Sequence, residues 1–227
     1  MPSKPYRRRI GVFGGTFNPI HYGHLRVADA VRKRLGLDEM RLVPSARPPH
    51  KIGRSDVVSG KDRLAMARLG ASEFHGLVVS DVEFRRPGPS FTVDTLEALR
   101  SETCGEADLF LVIGADTLPE IPTWRDAPRL ADLARIIAVN RPDCPIRVTD
   151  ELVETFGAAR TKAIVGDAIV VDPVPISATE VRERARLRER LTGLVPEAVE
   201  KYIVDRSLYT APQGRSDGAC GAVHEDP

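Results

Sequence analysis

The chain is short of most features that would commit it to an unusual class. It holds three cysteines in 227 residues, Cys104, Cys144 and Cys220. The set is odd in number and scattered, which argues against a disulfide framework and a zinc site and fits a reducing compartment. Neither sign of charge is in excess: 33 Lys+Arg against 32 Asp+Glu leave +1. That balance is wrong for electrostatic nucleic-acid binding, so no nucleic-acid partner is expected and any anion site must be local. No apolar run is long enough to cross a membrane, and the opening MPSKPYRRRI lacks the apolar core of a signal peptide. No membrane association and a cytoplasmic location are therefore expected. Aromatics are few, yet 42% of residues are hydrophobic and 29% charged, which suggests neither disorder nor a fibre.

What is present is an alternation of short apolar runs with longer helical stretches. RRIGVF, MRLVPS, LVVSDVEF, LFLVIG, RIIAVN and AIVVD read as strands. LRVADAVRKRLG, SGKDRLAMARLGASEF, TVDTLEALRSE, APRLADLA, TDELVETFGAAR and SATEVRERARLRERL read as helices, the second with Ser59 as its N-cap. Strands separated by helices imply right-handed crossovers and an α/β, doubly wound, mainly parallel sheet. There is no internal repeat and no dividing linker, so residues 1–210 are expected to form a single domain. The closing stretch, 211–227, is small, polar and aperiodic, and is expected to be a disordered tail.

In such sheets ligands sit beyond the carboxyl ends of the strands, where strand order reverses. GGTFNPIHYGH, directly after the first strand, occupies that place. Gly14 and Gly15 allow a sharp turn and close approach to the main chain. The stretch contains neither GK[ST] nor GxGxxG, which excludes a Walker loop and a dinucleotide fingerprint. His21 and His24, two of only five histidines, stand three residues apart. A helix beginning near His21 places both imidazoles on one face of its first turn, beside the positive end of its dipole. Imidazole N–H donors there suit the oxygens of a triphosphate. Downstream, in VPISATEVRERARLR, Ser177 and Thr179 stand where a helix starts and Arg182 follows one turn later. Hydroxyls, free N–H groups and a guanidinium would converge on a second phosphate. A capping box between Ser177 and Glu180 uses the same helix end and is compatible with it.

These two motifs together resemble the signatures of the HxGH nucleotidyltransferase superfamily, [ST]GxFDPxHxGH and ISSTxxR. Four further segments, VPSARPPHK, SFTVDTL, IGADTLPEIPTW and VNRPD, make the chain similar to the bacterial nicotinate-nucleotide adenylyltransferases over about residues 8–210. Asn18 stands where the family usually has aspartate, and Ala178 where it often has a second serine. The resemblance implies a Rossmann-like fold and adenylyl transfer from ATP to nicotinate mononucleotide, giving nicotinate adenine dinucleotide and pyrophosphate in NAD biosynthesis. It implies that His21, His24 and Arg182 are catalytic, and that Gly14, Gly15, Thr16, Phe17, Ser177 and Thr179 surround the phosphates. Gly114 and Asp116, closing a buried strand, fall where the family places adenosine contacts. Lys51, Thr92 and Trp124 would meet the mononucleotide. For these the plainer alternatives are an exposed loop lysine, an N-cap and core filler. Mg²⁺ would be held mainly by ATP phosphates, with no dedicated ligand cage in the protein. Homo-oligomerisation is left open. The rival expectations are transfer to nicotinamide mononucleotide or to phosphopantetheine, or a non-catalytic nucleotide sensor.

Overall fold

The computed structural model describes residues 6–48, 56–140, 142, 144–172 and 174–210. Along the chain run β1 (Arg8–Gly15), α1 (Tyr22–Leu35), β2 (Glu39–Pro44), α2 (Gly60–Ala71) and β3 (Leu77–Val79). α3 (Thr92–Glu102), β4 (Ala107–Gly114), α4 (Ala127–Leu133) and β5 (Arg135–Asn140) follow. The last elements are α5 (Asp150–Phe156), α6 (Ala158–Gly166), β6 (Ile169–Val170), α7 (Ala178–Arg186) and α8 (Glu197–Asp205). The strand order is β3-β2-β1-β4-β5-β6 and every pairing is parallel. The chain winds outward from β1 to β3, returns to the centre at β4 and winds out again. The switch point lies between β1 and β4.

The period of two along β4 explains why both faces carry helices. Leu109, Leu111 and Ile113 join one buried cluster with Leu96, Leu99, Leu130 and Leu152, whereas Phe110 and Val112 join another with Leu25, Met66, Val181 and Val199. A strand apolar at every position is stable only when covered on both sides, as a parallel sheet is. Among the described residues no helix is long and apolar enough to cross a membrane.

Several local expectations need correcting. LVVSDVEF is strand only over Leu77–Val79, and Val82–Arg85 forms a 3₁₀ turn. The turn brings Glu83 inward, where it accepts the Thr95 hydroxyl at 2.7 Å and the Ala46 N–H at 3.2 Å. TDELVETFGAAR is two helices, because Gly157 at φ 78° ends α5 and starts α6. α7 stops at Arg186, two residues before Arg188 turns left-handed at φ 58°. α8 and the 3₁₀ turn Leu118–Thr123 are additional to the expected elements. The tail, 211–227, lies outside the described residues.

Candidate functional site

The site is assembled at the switch point from the end of β1, the first turn of α1, the end of β4 and the start of α7. His21 is the N-cap of α1, in extended conformation, so both imidazoles project from the same end of the helix. Their rings stack, with centroids 3.7 Å apart. Gly23 makes this stacking feasible: a β-carbon there would lie 2.8 Å from His21 Nδ1 and 2.9 Å from its Cε1. The HxGH spacing is thus a packing requirement as well as a helical one.

The ring of His21 is 5% exposed, and desolvation lowers its pKa to about 4. The sequence left its charge open. In the folded chain it is a neutral donor at pH 7. Its Nδ1 is buried without a hydrogen-bond partner, which leaves Nε2 as the nitrogen available to a ligand. Phe17 supports the pair from below, its ring edge-on to His24 at a centroid distance of 5.0 Å. Phe17 itself adopts φ 47°, left-handed for a non-glycine residue, and backbone strain of this kind costs on the order of 1–3 kcal/mol. The residue is 2% exposed, so core packing holds the turn in that shape.

Two cavities meet at the histidines. The larger, about 970 Å³, is lined by His21, Gly114, Asp116, Ser177, Asn140 and Arg147, among others. The smaller, about 320 Å³, is lined by Thr16, Phe17, Asn18, His24, Asp56, Val57, Ala178, Thr179 and Arg182. Gly15 ends β1, and a β-carbon on its neighbour Gly14 would meet no atom within 4 Å, so space is open at the main chain there. Gly15 is tied to the β2 end, its carbonyl accepting the Ser45 N–H.

The start of α7 faces both cavities. Ser177 is its N-cap, and Ser177 Oγ accepts the Glu180 N–H at 3.1 Å. Only half of the expected capping box forms, because the Glu180 carboxylate pairs with Arg184 instead of reaching back. The N–H groups of Ala178 and Thr179 remain without partners among the described residues, so the positive helix end is open toward the smaller cavity. At α1 the Tyr22 N–H is already taken by the Leu194 carbonyl at 2.9 Å. The α7 end is therefore the better-provided anion site. Arg182 is held over it by three contacts: Nη1 to the Asn18 carbonyl at 3.0 Å, Nη2 to Thr179 Oγ1 at 3.4 Å and Nη2 to Asp56 at 3.3 Å.

Thr92 and Trp124 line neither cavity. The structure does bring their neighbourhoods together, since Arg125 lies over the Phe91 ring at 4.9 Å and pairs with Asp94. Thr92 is the first helical residue of α3 and Phe91 the N-cap, so Thr92 does not cap the helix. Trp124 packs partly buried against the core. Lys51 lies outside the described residues.

Two residues that the motifs did not reveal support the site. Arg63 is 2% exposed and donates to the carbonyls of Thr16 (2.7 Å), Val58 (3.3 Å) and Ala46 (3.4 Å). It places a buried cation against the turn that follows β1. Its signal in the sequence was a lone arginine on the same helical stripe as Met66, Ala67 and Gly70. Tyr209 donates to Asn18 Oδ1 from the far end of the chain, and no local pattern marks it. Among the described residues no group of three or more His, Cys, Asp or Glu side chains could hold a metal ion.

Comparison with known proteins gives a consistent result. A family model described as cytidylyltransferase-like matches residues 12–184. A Pseudomonas putida GB-1 protein named "probable nicotinate-nucleotide adenylyltransferase" is 41% identical over 214 residues, covering 90% of this chain and 96% of its own. A Roseiflexus sp. RS-1 protein of the same name is 40% identical over 200 residues, covering 88% and 97%. Among solved structures, Plasmodium falciparum nicotinic acid mononucleotide adenylyltransferase complexed with NaAD superposes with a TM-score of 0.67 at 17% identity, covering 89% of this chain and 97% of that one. At that identity the likeness speaks for the fold.

Proposed function

The chain belongs to the cytidylyltransferase-like family and, within it, to the nicotinate-nucleotide adenylyltransferases, and from that membership we infer how its two cavities divide the work. The enzyme transfers the adenylyl group of ATP to nicotinate mononucleotide, forming nicotinate adenine dinucleotide and pyrophosphate. We read residues 1–210 as one catalytic domain. The mononucleotide phosphate attacks the α-phosphorus of ATP in line, the α–β phosphoanhydride bond breaks and pyrophosphate departs. Such chemistry asks for positioning and charge neutralisation rather than a side-chain nucleophile.

The stacked His21–His24 pair between the two cavities is the observation that carries the assignment. Adenosine occupies the larger cavity beside Gly114 and Asp116. The α-phosphate lies at the imidazoles and the open main chain at Gly14, in the turn that runs on through Gly15, Thr16 and Phe17. The departing pyrophosphate is held in the smaller cavity by Thr179, the α7 N–H groups and Arg182, with Ser177 at the junction. Mg²⁺, seated by phosphate oxygens and water, supplies further neutralisation when bound. Lys51, Thr92 and Trp124 are assigned to the mononucleotide, with Trp124 stacking on the pyridine.

The test is pyrophosphate release from ATP with three acceptors. A pocket of N–H donors, if that is how the nicotinate carboxylate is held, would satisfy both its oxygens, whereas the NH₂ of nicotinamide would leave one donor facing another. An unpaired buried donor costs about 1–3 kcal/mol, so a preference for nicotinate mononucleotide of at least about tenfold in kcat/KM is expected. Trp124→Ala should weaken both pyridine substrates alike, leaving the ratio unchanged. Equal use of the two would refute the donor-only pocket. Greater turnover of phosphopantetheine would refute the acceptor class, and no release with any acceptor would leave a nucleotide sensor.

Gly23→Ala gives an independent check on the imidazole stack. Alanine is favoured in a helix over glycine by about 1 kcal/mol, but crowding the buried His21 ring and the Ile176 carbonyl costs about as much or more, so Tm should change little or fall modestly. The new β-carbon displaces the His21 ring, and because small misplacements cost up to roughly 10²-fold, kcat should fall by about 10–100-fold. Normal turnover would show that the ring position is immaterial.

A further inference from the structure

Tyr209 stands 191 positions from Asn18 in sequence, yet its hydroxyl donates to Asn18 Oδ1 at 3.1 Å. The same oxygen accepts the Val58 N–H at 3.1 Å, and Asn18 Nδ2 donates to the Asp56 carbonyl at 2.7 Å. Asn18 is 5% exposed, and its main-chain oxygen receives Arg182 Nη1. One small amide therefore joins three things that line or border the smaller cavity: the phosphate turn, the 56–58 segment and the arginine of α7. An aspartate at position 18 could accept from Val58 and Tyr209 but could not donate to the Asp56 carbonyl. The tyrosine is well placed to lock this junction. Burial raises its phenol's pKa, so the hydroxyl keeps its proton and remains a donor across the physiological range. Its backbone is fixed too: Tyr209 adopts φ 64°, and α8, just before it, is tied to α2 through the Tyr202 hydroxyl and Asp62 at 2.9 Å.

We propose that Tyr209 is a positioning residue for adenylyl transfer, holding Asn18 so that Arg182 and the 56–58 segment meet the departing pyrophosphate in register. The C-terminal turn is thereby part of the active site rather than a trailing end of the fold. The idea rests on the adenylyl-transfer reading above, and it separates two tyrosines of one structural unit. Tyr209 touches the phosphate turn, whereas Tyr202 fastens the same unit to α2 away from it.

The experiment compares the full chain with Tyr209→Phe, Tyr202→Phe, Arg182→Lys and the Tyr209→Phe/Arg182→Lys double variant. Each is measured for kcat, KM for ATP, Tm, and the Tm shift that ATP induces. Tyr209→Phe keeps the ring and removes only the hydroxyl, so it should fold with a Tm loss no larger than that of Tyr202→Phe. One neutral hydrogen bond corresponds to about a fivefold to tenfold effect, and kcat/KM for ATP should fall by that factor. Tyr202→Phe should retain full activity. In the Arg182→Lys background, removing the Tyr209 hydroxyl should cost less than about twofold more, because coupled residues are not additive. Unchanged kinetics for Tyr209→Phe, an additive loss in the double variant, or an equal loss in Tyr202→Phe would each overturn the proposal. Should the unaltered chain release no pyrophosphate, the enzymatic reading fails by itself. The ATP-induced Tm shift then decides this inference: a smaller shift for Tyr209→Phe than for Tyr202→Phe supports it, and equal shifts overturn it.

Discussion

Replacing His24 with alanine is expected to lower kcat by roughly 10²–10³-fold, the effect of losing one preorganised donor to developing charge. ATP binding should change far less, because the contacts proposed for the triphosphate at Arg182, Thr179 and the α7 N–H groups do not involve His24. The substitution also removes the ring on which His21 stacks at 3.7 Å and which Phe17 supports edge-on, so part of the loss reflects His21 moving. Steady-state kinetics with an ATP titration separates the two parameters. Near-normal kcat would exclude a role for His24 in the transfer step. The pH profile adds a sharper criterion. His21 has a folded pKa of about 4 against an ordinary value of 6.5, so the free enzyme carries it neutral throughout pH 5–9. No acid limb of kcat/KM near pH 6.5 should belong to it. The unfolded chain takes up this proton first as pH falls, so native stability should decline from about pH 6.5 toward pH 4 and be unaffected by His21 above that window.

Arg182→Lys is expected to reduce kcat/KM by roughly 30–100-fold although the charge is retained. The guanidinium satisfies the Asn18 carbonyl, Thr179 Oγ1 and Asp56 at once, and those contacts fix the face it presents to phosphate. An ammonium has no planar fork and cannot hold this geometry while also meeting an oxyanion in two places. Losing one or two charge-assisted bonds, each worth about 1.5–3 kcal/mol, accounts for a factor of that size. Added Mg²⁺ should rescue little, since what is lost is geometry rather than charge. Unchanged kinetics would reduce Arg182 to a member of the charged helix face of α7.

The layout of the fold was legible because two periodicities are local. The continuous apolar run of β4 and a period of 3.6 along α1 are properties of neighbouring residues, and short strands separated by helices leave few topologies open. The same locality failed where tertiary contacts intervene. Val82–Arg85 leaves the sheet because Glu83 finds partners in Ala46 and Thr95, distant in sequence. The capping box was half right because Arg184 competes for Glu180. The motif residues were legible for a related reason: His21 with His24, and Thr179 with Arg182, stand three residues apart, and that spacing alone puts each pair on a common face.

By itself, then, the sequence determined the parallel α/β class, the placing of the first motif after the first strand, and the chemical character of each motif side chain. Only the tertiary structure decided that the two motifs, about 155 residues apart, close on one pair of cavities. It alone decided that His21 is neutral, since the pKa follows from burial beneath Gly23 and the core and not from any neighbour in sequence. It alone placed Arg63 and Tyr209 against the turn that follows β1. Hydrogen bonds and desolvation act over a few ångströms of space without regard to chain separation, and a site built from them is specified only when the chain has folded.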